Sequence, residues 1–273
     1  MLTSSDVLGA DTLVFDLEDA VSINEKDAAR ILVKEALGFL RFQDAEVTVR
    51  INPHDSPYCM DDLSCIVPAG PHGLVIPKAS VESVQAIERE VERLEALHGI
   101  EEKLQFILII ETAMGLFDLR NILEASRRIT GLILGAEDFS SDMGIRRTKE
   151  SKEIEYARFA IATAARAKRI DAIDTPYTDI DDFEGLKNDT AFAKSIGFSG
   201  RLAINPRQIE TLHEVFSPSA AEIEEAMNIL IEAEEAEKRG LGVFSYKGKM
   251  VDMPVIKRAE NIMDSARKWG IVK

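Results

Sequence analysis

LQFILIIETAMGL, residues 104–116, runs six apolar or neutral residues, Gln105–Ile110, into a bare carboxylate at Glu111 and then into what reads as the first turn of a helix. A strand with one face in water alternates apolar and polar residues, whereas this run has no polar alternate. It therefore reads as a strand buried on both faces, the condition of a parallel sheet covered by helices. A carboxylate at the end of such a strand stands where parallel α/β folds place their chemistry.

Similar short runs rich in β-branched residues recur on both sides of it, at Thr12–Phe15, Val47–Ile51, Leu74–Ile76, Leu132–Leu134, Ala172–Asp174 and Leu202–Ile204. Amphipathic stretches lie between them: Ile31 to Leu40 is one, and Val84, Ile87, Val91, Leu94 and Leu97 form an i, i+3, i+4 stripe in another. The strand starts repeat about every 32 residues, close to the ~31 of a chain that spreads ~250 residues over eight β/α units. No G-x-G-x-x-G loop follows any strand, which weakens an open nucleotide-binding sheet and favours a (β/α)8 TIM-type barrel. RINP (50–53) and AINP (203–206) each close a strand with Asn-Pro, read as a cap followed by a first helical or turn position.

The β/α register stops after Ile204. A long acidic helix over about Ala220–Arg239 is expected to end at Gly240, VFSYKGKMV to form a hairpin around Lys247-Gly248, and Pro254 to open a last helix. The expected organisation is a barrel over 1–216 and a helix-hairpin-helix extension over 217–273, acting as a lid or an inter-subunit segment.

The 273 residues are 45% hydrophobic and 30% charged, as in a folded enzyme, and carry a formal net charge of −15. That charge argues against nucleic acid as a partner. The longest apolar run, Phe106–Ile110, is far short of the ~20 residues of a membrane span, and the start lacks a signal-peptide pattern, so a cytoplasmic location is expected. Cys59 and Cys65 lack zinc-like spacing and read as reduced structural thiols.

Charged residues cluster just past the strands. Asp16, Glu18 and Asp19 follow the first, Arg50 ends the second, Lys78 follows the third, Glu111 the fourth, Glu137 and Asp138 the fifth. Several carboxylates at one barrel mouth repel one another unless a cation sits among them, and oxygen ligands without convergent His or Cys select a hard ion such as Mg²⁺. Glu111 and Asp138 are the preferred ligands, because their strands are consecutive; the competing reading is that each caps the helix that follows. Arg50 is suited to clamp a carboxylate with its planar fork, or else pairs with the acids of DLED. Lys78 could form a Schiff base, although a structural ion pair is the plainer reading. Arg146, Arg147 and Lys149 could hold phosphates or form a solvated charge run.

ADTLVFDLEDAVSINEKDAAR (10–30), VRINP (49–53), LVIPKA (74–79), IETAMGL (110–116), GLILGAEDFSSDMGIRRTKE (131–150), AIDTPYTD (172–179), AINPRQI (203–209) and GKMVDMPVIKRA (248–259), taken in order, resemble the citrate lyase β chain with its citramalyl-CoA and malyl-CoA lyase relatives. The resemblance spans nearly the whole chain. It implies a homotrimeric (β/α)8 lyase that uses Mg²⁺ to break a carbon–carbon bond in the thioester of a 2-hydroxy acid, carried on coenzyme A or on an acyl carrier protein, with citrate lyase acyltransferase and carrier chains as further partners. It places the metal ligands on Glu111 and Asp138, the carboxylate grip on Arg50, an acidic pair lining the metal's water shell on Glu18 and Asp19, and a catalytic Asp, contributed from the tail of a neighbouring subunit, on Asp252. Asp252 also reads as a cap of the last helix, and Arg147 and Lys149 as contacts to the thioester's phosphates. Family members usually begin with a further strand of the form R-S-x-L-F-V-P-G, of which seven-strand register shows no counterpart; a truncated, non-catalytic paralogue that assembles with citrate lyase chains is the alternative this raises.

Overall fold

The computed structural model describes residues 8–272 apart from 41, 43 and 44. Strand β1 (Thr12–Asp16) leads through α1 (Lys26–Phe39) to β2 (Glu46–Arg50), and α2 (Cys59–Ile66) leads to β3 (Gly73–Ile76). Helix α3 (Val81–His98) then precedes β4 (Gln105–Ile110), and the short α4 (Ala113–Phe117) and α5 (Leu119–Glu124) precede β5 (Ile129–Leu134). After α6 (Ala136–Asp142) and α7 (Glu155–Lys168) comes β6 (Asp171–Asp174), and after α8 (Phe183–Ser195) comes β7 (Gly200–Arg201). The seven strands pair in sequence order, every pair parallel, and β1 and β7 do not pair with each other. This is the curled sheet of a (β/α)8 TIM-type fold with seven strands among the described residues.

Strand β4 lies at the centre of the sheet. Five of the six residues of β4 are buried, as are all four of β3. Ile107 and Ile109 join Val75 and Ile133 in one cluster, with Ile173 and Leu202 packed against it. Their neighbours Phe106, Leu108 and Ile110 project to the opposite face by the alternation of a strand and are equally buried, which is why the run has no polar alternate. Helix α3 buries Val84, Ile87, Val91 and Leu94, starts on a Ser80–Ser83 capping box and stops at Gly99 in the left-handed region. Leu97, the last member of the sequence stripe, is exposed.

Two expectations need correction. The last strand is Gly200–Arg201 rather than Leu202–Ile204. Leu202 N–H still reaches the Asp174 carbonyl at 3.1 Å, but the Ile204 N–H turns to the Gln208 side chain, whose capping box with Asn205 opens a 3-10 turn at Pro206. RINP is no cap: Asn52 is buried, and its amide donates to the Leu17 carbonyl (2.9 Å) and to Asp62 (2.7 Å).

A largely buried four-charge cluster closes the β6–β7 end. Arg158 on α7 forks onto Asp174 at 3.1 and 2.9 Å and onto Asp189 of α8 at 2.9 and 2.7 Å, and Arg201 pairs with Asp174 at 2.8 Å and with Asp189. Two cations face two anions; Arg158, Asp174 and Arg201 are buried and Asp189 half-buried, and each has a partner, as charges withdrawn from water must.

The chain divides into two compact units after Leu212, inside α9 (Ile209–Phe216). The second unit packs α10 (Ala220–Lys238) against α11 (Met253–Lys268) through Ile223, Ala226, Ala259, Met263 and Ala266. Between these helices β8 (Phe244–Tyr246) and β9 (Lys249–Val251) form the expected hairpin, with Lys247 and Gly248 at φ +47° and +76°, the conformations a two-residue turn of this hand requires. Both cysteines are free. Among the described residues no helix is long and apolar enough to cross a membrane.

Candidate metal and substrate site

The C-terminal ends of β1 to β5 gather the charged residues into one electrostatic site. Register alone places Asp16 opposite Arg50 across β1 and β2. The guanidinium sets Nε and Nη2 on the two Asp16 oxygens at 2.7 and 2.5 Å, the bidentate geometry that suits a planar fork. Its remaining nitrogen, Nη1, lies 2.9 Å from Glu18 Oε2 and 3.9 Å from Asp19. The Glu18 contact is one of charge only, since that oxygen is buried without a hydrogen bond among the described residues. Burial by itself raises the Asp16 pKa. The Arg50 hydrogen bonds and charge, aided by the Glu18 and Ala20 N–H groups, outweigh it and leave the carboxyl below its ordinary value.

The loop that carries Glu18 is tied down from behind. The buried Lys26 ammonium donates to the carbonyls of Leu17 and Glu18 at 2.8 and 2.7 Å, and Asn52 donates to the same Leu17 carbonyl. With its backbone fixed, the Glu18 carboxyl stays out of water, and burial first, then the charges of Asp19 and Asp16 set against Arg50, push its pKa up to about 7.

Glu111 is set against the next two turns. Its Oε1 accepts the Lys78 N–H at 2.7 Å, which Lys78 presents from the left-handed region at φ +46°. On its other side lies Gly135, between β5 and α6. A Cβ built there would stand 2.5 Å from Glu111 Cβ, 2.6 Å from Oε2 and 2.8 Å from Ile109 Cγ2, so only glycine lets β5 approach the carboxylate this closely. Gly135→Ala is therefore expected to destabilise the first unit by about 1–3 kcal/mol, the range for forced overpacking. Denaturant unfolding reads this, and a curve superimposable on the wild type's would show that Glu111 has room to swing aside.

Glu111 is 6% exposed. Burial raises its pKa to about 7 against the Lys78 hydrogen bond, helped by the charges of Glu18 and Asp138 and opposed by that of Arg50. Asp138, half-buried in the first turn of α6, thus shares the field of Glu111. Carboxyls held this high have been taken from water without enough positive charge in return, which is the environment a cation would complete. Among the described residues no three His, Cys, Asp or Glu side chains converge on one point. Two carboxylates, with water and substrate oxygens, are the donor set that Mg²⁺ takes, so the residues fit that ion.

The remaining candidates stand elsewhere or are engaged. Asp19 is exposed at the rim of the Arg50 cluster. Arg147 pairs with Glu153 at 2.5 Å and Glu137 at 3.2 Å, and Lys149 with Asp182 at 2.5 Å, so both cations already have anions. Asp252 belongs to the second unit, where it caps α11 by accepting the Val255 N–H at 3.3 Å. The pairing of Arg50 with the acids of DLED, the alternative the sequence offered, is present through Asp16 and Glu18, whereas nothing in the sequence pointed to Gly135 as the glycine that admits Glu111 or to Lys26 as the anchor of the Glu18 loop.

A parallel β/α sheet with paired acids and a guanidinium at its strand ends defines a lyase-type barrel site, and residues 1–206 match the HpcH/HpaI aldolase/citrate lyase family, to which the chain belongs. It is 39% identical to the citrate lyase subunit beta of Haemophilus influenzae over 98% of this chain and 92% of that one. It is 33% identical to the mitochondrial citramalyl-CoA lyase of Homo sapiens, covering 95% of this chain and 79% of that one. A crystal structure of the CitE protein of Mycobacterium tuberculosis in complex with magnesium, acetoacetate and coenzyme A superposes with a TM-score of 0.79 at 27% identity, over 94% of this chain and 90% of that one.

Proposed function

We propose that this chain is a magnesium-dependent carbon–carbon lyase that cleaves a citryl thioester, on coenzyme A or a carrier protein, to oxaloacetate and an acetyl thioester. The observation that carries the reading is Glu111: a buried carboxyl with its pKa near 7, wedged against Gly135 and within the field of Asp138. The higher identity to the citrate lyase subunit beta, 39% against 33% to the citramalyl-CoA lyase, supports citryl over citramalyl. The relative holding magnesium and coenzyme A supports the ion and the carrier.

Glu111 and Asp138 would hold the ion, which when bound supplies Lewis acidity at the hydroxyl-bearing carbon. In the reaction the C3 hydroxyl loses its proton, the C2–C3 bond breaks with its electrons passing to the acetyl carbon, and C3 becomes the carbonyl of oxaloacetate. Glu18, with its pKa near 7 and its backbone held by Lys26, is suited to take the hydroxyl proton near neutral pH. Arg50 orients the substrate carboxylate through Nη1, its other nitrogens being fixed on Asp16, and Asp19 lies at the same rim. The acetyl enolate then takes a proton from Asp252, brought from a neighbouring subunit as the family resemblance implies. That resemblance also supports a homotrimer in the cytoplasm, phosphate contacts from Arg147 and Lys149, and assembly with acyltransferase and carrier chains.

Exhaustive chelation is expected to abolish citryl-CoA cleavage and added Mg²⁺ to restore it; activity that survives chelation overturns the reading. Because the ion binds the ionised carboxylate, Mg²⁺ must displace a proton from Glu111 below about pH 7. The thermal stabilisation produced by a fixed Mg²⁺ concentration should therefore grow from pH 5.5 to 7.5 and then level off.

A further inference from the structure

The mouth of the sheet holds two cations, and only one has its charge answered. Arg50 gives Nε and Nη2 to Asp16 and sets Nη1 against Glu18, leaving that one nitrogen for the first substrate carboxylate. Lys78 has no such partner: its side chain is exposed, and among the described residues its ammonium makes no ion pair or hydrogen bond. It stands in the turn after β3, the strand between those that end in Arg50 and Glu111, and its charge acts on Glu18. Its backbone is bound to Glu111 with a positive φ, where a glycine would keep the same N–H and relieve the strain. A side chain at a strained position beside functional groups points to a use for that side chain.

The chemistry of the substrate supplies one. Beyond its thioester a citryl group carries two carboxylates, one on the hydroxyl-bearing carbon and one on a methylene arm. Citramalyl has a methyl in place of that arm, and malyl a hydrogen. The mouth is acidic, with Asp16, Glu18, Asp19, Glu111 and Asp138 against Arg50 and Lys78, so a second substrate carboxylate needs an unspent cation.

We propose that Lys78 binds the carboxylate of the citryl methylene arm and so sets the preference for substrates that carry it. The inference rests on the lyase reading above. A point charge on a flexible four-carbon stem suits an arm that must enter and leave on each turnover.

Titration calorimetry on the full-length protein with Mg²⁺ tests this, with oxaloacetate, which keeps the arm, against pyruvate, which has a methyl instead. Lys78→Met and Lys78→Arg both retain a side chain at the strained position, so neither alters the backbone demand. Lys78→Met should weaken oxaloacetate by ~10-fold or more and pyruvate by less than ~2-fold, and Lys78→Arg should restore most of the loss. Equal weakening of both acids, or unchanged oxaloacetate affinity, overturns the proposal. Citryl-CoA cleavage by the wild type separates the two levels. If the wild type is active and the oxaloacetate-to-pyruvate ratio is unmoved by Lys78→Met, the Lys78 assignment fails alone. A wild type that neither cleaves the thioester nor binds either acid removes the lyase reading, and this inference with it.

Discussion

Glu111→Gln is expected to lower citryl-thioester cleavage by about a thousandfold while leaving the protein as stable as the wild type or more so; a Lewis acid is worth several kcal/mol at the transition state, and each 1.36 kcal/mol is tenfold in rate. The two halves of the result test different things. Gln keeps the shape and an oxygen that accepts the Lys78 N–H, so the 2.7 Å bond and the contact with Gly135 survive. It removes a charge that burial disfavours, as the pKa of about 7 shows, so without metal the fold gains rather than loses. A structural carboxylate would behave in the opposite way, its neutralisation costing stability and sparing activity. Measured together, kcat and the unfolding midpoint without Mg²⁺ decide the matter. A variant that is active but less stable would reduce Glu111 to a structural anchor of the Lys78 turn.

Arg50→Met should affect both properties. It leaves Asp16 and Glu18 without their common cation, and breaking a largely buried pair costs about 3 kcal/mol at the low end of the measured range. For a unit of about 200 residues that corresponds to a fall in Tm of roughly 6–12 °C. The penalty has a defined pH dependence. The folded-state pKa of Asp16 lies below its ordinary 3.8, so the stability contributed by its pairing is fully present above that value and is lost as pH falls through the folded pKa. The Tm difference between wild type and Arg50→Met should therefore be largest near neutrality and shrink in strong acid. Activity should fall by about a hundredfold or more through lost orientation of the carboxylate. A Tm difference that is the same at pH 3 and pH 7 would mean that Asp16 is not the partner that matters.

The parallel sheet was legible because burial on both faces leaves an unmistakable trace: β4 could hardly be anything else, and its neighbours repeat at the spacing of β/α units. The last strand was misplaced because Arg201, a charged residue, forms half of it. Its side chain is neutralised by Asp174, and Asp189 on α8, which no local pattern announces. Arg50, Glu111 and Asp138 could be found because they end or follow strands. The pairing of Arg50 with DLED was open to view because both end neighbouring strands, but the bond from Lys78 to Glu111 was not, since it spans 33 positions between backbone and side chain. Gly135 was unreadable for a similar reason, since its value lies in how closely two strands approach. Arg147 and Lys149 looked like a basic patch because their acids Glu153 and Asp182 lie beyond the run itself.

The cluster of Arg158, Asp174, Asp189 and Arg201 has a consequence for descent as well as for folding. Each of its members answers charges on the others, so a lineage that loses one inherits an uncompensated ion in the interior of the sheet. These four positions should pass through evolution as a single character, kept intact or exchanged together for an uncharged set, with few intermediates surviving between.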